Sequence, residues 1–202
     1  MQTVKMDVEL EQYHKTAATS ARDMMRMVGD ILALTELQAG KLYPRREPFS
    51  LRGLVDGLRA QYSPRATDKG LGFVVELEDS LPDTLEGDAG KLAQALGYLL
   101  DNAVKFSPTG GTVTVTMDGD TVVVSDEGPG IDEADLPHIF DRFYRSDQAR
   151  NTPGTGLGLS IVAHTVTSHQ GWIKASRAPG GGAMFTMYLP REEPPAEEST
   201  TS

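Results

Sequence analysis

Apolar positions at the start of the chain recur at alternating spacings of four and three: Leu10, His14, Ala17, Ala21, Met24, Val28, Ile31 and Thr35. That is a heptad seam, and it predicts one long helix over residues 7–42. Met25, Leu32 and Ala39 widen the apolar stripe, and Gly40 beside Lys41 is a stop signal. A solitary helix of this kind cannot bury its seam, so a partner is expected, most simply a second copy of the chain.

The pattern then changes. Residues 43–49, with two prolines and two arginines, read as a linker. Ser50 caps a predicted helix running through Leu54, Val55 and Leu58 to about residue 66. Alternation over 71–77 predicts a strand, and 83–86 a short one. Asp88 caps a helix reaching Phe106, with Leu92, Ala95, Leu96, Leu99, Ala103 and Val104 on its apolar side. Residues 112–117 and 121–125 form an expected hairpin around Asp118-Gly119. The stretch 132–151 reads as loop with short helical pieces, 158–169 as a helix, and 171–176 and 183–189 as the last strands. The tail from Arg191, rich in Glu, Pro, Ser and Thr, is expected to be disordered.

Composition narrows the function. The formal net charge of -10 argues against nucleic acid, which needs a basic face, and against an anionic membrane surface. The absence of cysteine excludes disulfides, thiol catalysis and zinc–thiolate sites. No apolar run approaches the ~20 residues of a membrane span, and the polar start is no signal peptide. The expectation is a cytoplasmic chain whose parent protein could be anchored elsewhere.

Three segments carry candidate chemistry. Asp126-Glu127-Gly128-Pro129-Gly130-Ile131 follows a predicted strand. Glycines there let the backbone approach a flat ligand, and Asp126 can accept a hydrogen bond from an exocyclic amine such as that of adenine. Gly154-Thr155-Gly156-Leu157-Gly158-Leu159 precedes a helix, whose free amides and positive dipole end suit phosphates. Asp101-Asn102-Ala103-Val104-Lys105-Phe106 ends another helix; Asn102 offers an oxygen to magnesium, and Lys105 can point at the same phosphates. Neither glycine run is a P-loop, since no Gly-Lys-Ser/Thr follows, and the dinucleotide fingerprint is not met.

In this order the segments resemble the histidine kinase catalytic domain of the GHKL ATPase superfamily. Residues 99–106 look like most of the asparagine box and 126–131 like the first glycine box. Ile139-Phe140-Asp141-Arg142-Phe143-Tyr144-Arg145 resembles the phenylalanine box, and 154–159 the second glycine box. The resemblance covers residues 49–189 and implies an α+β two-layer sandwich: a mixed sheet with three main helices on one face. It implies ATP and magnesium as cofactors, with a lid over the nucleotide between Asp132 and Gly158. Asp126, Gly128, Gly130 and Ile131 would form the adenine pocket. Asn102 would hold the metal, Lys105 would contact phosphate, and Phe106 would pack near the nucleotide. Gly154, Thr155, Gly156, Leu157, Gly158 and Leu159 would surround the phosphates. Arg145, Arg142 and Tyr144 would approach from the phenylalanine box, where Phe140 and Phe143 are expected mainly to pack the core.

Two departures stand out. The asparagine box usually opens with Asn where this chain has Tyr98; related ATPases carry there a glutamate that activates water. With an ordinary pKa of about 10, tyrosine is a poor base near neutral pH, so independent hydrolysis is not expected. Residues 8–42 resemble the second helix of the dimerisation and phosphotransfer domain, and no histidine here has an acceptor context: His14 is followed by Lys15 and Thr16. The domain organisation expected is thus 1–43 as a partial dimerisation helix, 44–190 as the catalytic domain and 191–202 as tail. The leading function is transfer of the γ-phosphoryl of ATP to a histidine outside this chain, for relay to a response regulator. The alternatives are a degenerate kinase that senses nucleotide or docks a partner, and a serine kinase of the anti-sigma type, which the heptad helix disfavours.

Overall fold

A computed structural model describes residues 44–191 apart from 151 and 153, the backbone alone for 148, and residues 13, 14, 16, 17, 20, 21, 24, 25, 27–33 and 35. The chain divides into two compact units, Met1–Leu42 and Tyr43–Ser202. In the first, every described residue is helical (α1), and Met24, Met25, Val28, Ile31 and Leu32 are all exposed. The expected stop at Gly40 and the tail beyond Arg191 lie outside the described residues.

The second unit begins with a correction. Residues 43–49 were expected to be linker, yet Glu47–Ser50 forms strand β1, paired antiparallel with β3, Thr84–Gly87. Pro48 disguised it; proline is tolerated because a two-stranded ribbon leaves half of its amides outside the ladder. Helix α2, Leu51–Asp68, starts at Ser50, whose hydroxyl accepts from the Gly53 amide at 2.8 Å. Asp83 completes that cap, accepting from the Arg52 amide at 2.8 Å. Strand β2, Gly72–Leu77, and helix α3, Ala89–Phe106, follow, the latter capped by Asp88 through the Lys91 amide at 3.0 Å. The hairpin β4, Thr112–Asp118, and β5, Thr121–Asp126, turns where the sequence predicts. A short α4, Asp147–Arg150, helix α5, Gly158–Ser168, and strands β6, Trp172–Arg177, and β7, Ala183–Tyr188, complete the order.

The main sheet runs β2-β4-β5-β7-β6. Only β2 and β4 are parallel, so the chain between them must cross over, and α3 makes that crossing. Inward residues Val113, Val115, Met117, Val124, Phe185 and Met187 are buried under α2, α3 and α5, while the alternate residues line an open face. This is the two-layer sandwich expected, with the helices on one side.

Two polar devices hold α3 in register with α2. Tyr62, 1% exposed, donates to the Gly97 carbonyl at 2.9 Å and to Asp101 at 3.1 Å. Arg65 closes the group, 2.7 Å from Asp101 and with its guanidinium carbon 4.8 Å over the Tyr62 ring. Burial, reinforced by Asp101, drives the Tyr62 hydroxyl far above its ordinary pKa, so it stays a donor. Lys69 then caps the other end of α3, donating to the carbonyls of Val104 at 2.6 Å and Lys105 at 2.7 Å. A cation there meets the negative end of the helix. Replacing Lys69 with Met leaves both carbonyls without this donor and is expected to cost about 1–3 kcal/mol in urea unfolding; an unchanged midpoint would show that the cap is only a surface contact.

Candidate functional site

The end of β5, the end of α3 and the start of α5 converge. Asp126, the last residue of β5, is 6% exposed. Its Oδ1 accepts two backbone amides, Gly128 at 2.8 Å and Ala183 at 3.1 Å. Oδ2 takes no hydrogen bond among the described residues. Burial raises the carboxyl above its ordinary 3.8, and the two amides pull it back. One oxygen thus serves the fold, joining the first glycine turn to the start of β7.

The backbone around Asp126 is packed too closely for side chains. A Cβ on Gly128 would lie 3.0 Å from the Phe106 carbonyl oxygen, which seats the first glycine turn on the end of α3. A Cβ on Gly182 would lie 1.9 Å from the Asp126 carbonyl oxygen, and Gly182 has φ +73°. Gly130 in turn abuts the Gly182 carbonyl. Gly182 and Ala183 therefore complete the backbone setting of Asp126, and sequence reasoning missed both. The signal was present as the run Gly180-Gly181-Gly182 ahead of the last strand. Ile131 follows at intermediate exposure.

Asn102 and Lys105 lie on the last turns of α3, both half-buried. The Lys105 ammonium sits 5.0 Å from the Phe106 ring centroid, and a Cβ on Gly154 would stand 3.7 Å from its Nζ. Lys105 is thus brought beside Gly154 of the second glycine run. Helix α5 starts beside it. The first amides of a helix have no intrahelical acceptor, and the N-cap residue here, Leu157, has no side chain that can cap them. Thr155 accepts from the Leu157 amide at 3.3 Å, Leu157 is buried, and Leu159 is half-buried. Tyr98, one turn before Asn102, is buried with its ring against Gly158, so it occupies the α3–α5 contact.

The phenylalanine-box residues are placed differently. Tyr144 donates to Asp135 at 2.6 Å, and its ring lies 5.6 Å from that of His138, tilted by 35°. Arg145 donates to the carbonyls of Ala149, Arg150 and Thr152, closing α4 on itself. Arg142 is exposed. In this arrangement Tyr144 and Arg145 serve the segment over residues 132–157, while the charge of Arg142 is felt by His164 on α5. Phe140 packs edge-on at 6.5 Å from Phe185, as a core residue does. Phe143 does not: it is 62% exposed with φ +64°, and it is the backbone that is used, its amide donating to Gly156 at 2.9 Å. No helix among the described residues is long and apolar enough to cross a membrane.

Comparison with known proteins converges on the same segments. The profile of the family described as histidine kinase-, DNA gyrase B-, and HSP90-like ATPase matches residues 87–193. The chain is 38% identical over 202 residues to the signal transduction histidine-protein kinase/phosphatase MprB of Mycobacterium avium (strain 104), covering 95% of this chain and 37% of that protein. It is 31% identical to the sensor histidine kinase RcsC of Escherichia coli (strain K12), over 94% of this chain and 20% of RcsC. Among solved structures, full-length ShkA in complex with AMPPNP superposes with a TM-score of 0.74 at 31% identity, covering 89% of this chain and 38% of ShkA. A mycobacterial MprB structure gives a TM-score of 0.63 at 33% identity, over 73% of this chain and all of that one. The chain spans little more than a third of the length of its MprB relative.

Gly182→Ala tests the backbone contact behind Asp126. The added methyl meets a carbonyl that cannot move without displacing β5, and the φ is positive, so a loss of at least about 2 kcal/mol in thermal or urea unfolding is expected. A variant as stable as the parent protein would refute the close approach.

Proposed function

The chain belongs to the histidine kinase-, DNA gyrase B-, and HSP90-like ATPase family, and from that membership we propose that residues 44–190 are the ATP-binding catalytic module of a sensor histidine kinase. The observation that carries the reading is Asp126, whose Oδ1 is held by two amides while Oδ2 is left as an acceptor. That arrangement suits the exocyclic amine of adenine, and ShkA, similar in fold, is a complex with an ATP analogue.

The remaining roles follow from chemistry. Gly128, Gly130 and Ile131 wall the adenine; Phe106 flanks it. Lys105 and the amides of 154–159 neutralise the phosphates. Magnesium fits this donor set: it keeps several waters and needs few protein oxygens beside the phosphates. The described residues contain no cluster of three acidic or imidazole groups, which agrees with a metal held mainly by nucleotide and water, with Asn102 as its protein ligand. The metal would supply charge neutralisation at the transferred phosphoryl. Arg145 reaches it only by leaving the carbonyls of its own segment that it now engages.

The acceptor is a histidine supplied from outside these residues. His138 pairs with Asp141 at 3.1 Å, and His169 is tied to Thr165 and to the Asp88 amide. His164 has its Nε2 buried, with burial lowering its pKa. Relay to a response regulator aspartate and pairing of two copies through the exposed stripe of α1 complete the proposal. A second reading, nucleotide sensing without transfer, is favoured by Tyr98 in place of the usual asparagine.

Asp126→Asn is the deciding variant. Asn keeps the acceptor for both amides but presents a donor where Oδ2 stood, so it faces the adenine amine with like polarity. Calorimetry with magnesium and ATP is expected to give micromolar binding to the wild type, weakened at least about tenfold in the variant. Folding is expected to survive. Because the folded carboxyl is raised, its ionised form costs stability above that pKa, and the cost lifts as pH falls through it. The variant is therefore as stable as the wild type or more so at pH 7, and the difference shrinks on acidification. Absence of ATP binding by folded wild type up to millimolar concentration would sink the enzyme reading. Binding without transfer to a separately supplied histidine-bearing helical hairpin would favour the sensing alternative. Sedimentation showing only monomer at tens of micromolar would count against pairing through α1.

A further inference from the structure

Tyr98 stands where related kinases carry asparagine, yet it does not point into solvent or across the mouth of the pocket. It is 9% exposed, on the side of α3 that meets α5. A Cβ on Gly158 would lie 2.9 Å from Tyr98 Cδ1, 3.4 Å from Cγ and 3.6 Å from Cβ. The ring is therefore in contact with the backbone at the first residue of α5. Its hydroxyl, further out, accepts from Gln94 Nε2 at 3.4 Å.

This contact has a geometric consequence. Tyr98 and Asn102 are four residues apart, so both lie on one face of α3. The ring sets how closely the first turn of α5 approaches the turn of α3 that carries Asn102. An asparagine at 98 would be too short to set that distance. The ring also makes the absence of a side chain at 158 obligatory, since a buried ring has nowhere to retreat.

From this geometry we propose that Tyr98 is a positioning residue that fixes the phosphate-binding end of α5 against α3 through ring-to-backbone contact at Gly158. The inference rests on the nucleotide reading of the site. It explains how the chain departs from the usual asparagine box without losing the pocket: the tyrosine replaces a polar group by a spacer.

A double-mutant cycle between the two positions tests it, with ATP and adenosine as ligands. Gly158→Ala is expected to weaken ATP by about tenfold or more and adenosine by no more than about twofold, because the displaced amides face phosphate only. Tyr98→Val alone removes the spacer and is expected to weaken ATP by about tenfold with adenosine changed by no more than about twofold, and combined with Gly158→Ala, whose methyl then meets no ring, the loss is expected to fall well short of the sum of the two single losses; Tyr98→Asn serves the same cycle where Tyr98→Val fails to fold. Tyr98→Phe keeps the ring and is expected to bind ATP within about twofold of the wild type. Additive losses in the cycle, or ATP and adenosine weakening together, would overturn the positioning role. A folded wild type that binds no ATP overturns the nucleotide reading itself, and that result appears before any variant is made.

Discussion

The rest of the structure depends on how α3 is held. It is the crossover between two parallel strands, so it must bury Leu96, Leu99, Leu100 and Ala103 against the sheet and its neighbouring helices. It must also deliver Asn102 and Lys105, polar and half-buried, at its C-terminal end. These demands conflict, because helix ends fray and carry uncompensated carbonyls. The Tyr62–Asp101–Arg65 group and the Lys69 cap resolve the conflict from the α2 side, and the Tyr98 ring braces the α5 side. An end braced on two sides can present a lysine and an amide without being buried itself.

The pocket beside it is built from backbone more than from side chains. Asp126 is the exception, and even there one oxygen is spent on the Gly128 and Ala183 amides. Those bonds join the first glycine turn to the start of β7, although more than fifty positions separate them in the chain. Close approach at Gly182 is what lets the two turns touch. Fixed amides and carbonyls need no reorganisation when a ligand arrives, which is why an acidic chain can still bind a polyanion: local dipoles act at short range while the net charge is screened within about a Debye length.

Much of this was legible in the sequence because several signals agreed. Ser50 and Asp88 announced their helices as caps, β4 and β5 alternated around Asp118-Gly119, and the two glycine runs lay on the expected sides of a strand and a helix. What stayed hidden was pairing at a distance. Strand β1 looks like linker because its short ribbon is defined by Thr84–Gly87, not by its own composition. Gly182 reads as one more turn glycine until the Asp126 carbonyl is seen to touch it. Phe143 carries the hydropathy of a core residue but lies outside, since its left-handed backbone turns the side chain out while the amide bonds to Gly156. Periodicity reports which face of an element is apolar; it is silent on residues whose conformation is set by a partner far along the chain.

The segment over residues 132–157 shows the opposite balance from α3. Its bonds are mostly internal: Tyr144 to Asp135, His138 to Asp141, and Arg145 to the carbonyls of α4. It is fastened to the body chiefly where Ile139 and Leu157 are buried and where Phe140 meets Phe185. A piece that satisfies its own polar groups and has few buried anchors can change position without exposing unpaired donors, so it belongs to the low-stability end of the fold. The arginines follow from this. Arg145 cannot serve a phosphate and the carbonyls of Ala149 and Thr152 at once, so on the proposed reading a phosphate would have to win the guanidinium from them with a charge-assisted bond. On the proposed nucleotide reading, the energetic difference between the two partners would couple occupancy of the site to the position of the segment, and the Phe143–Gly156 bond is where the segment meets the second glycine run in backbone.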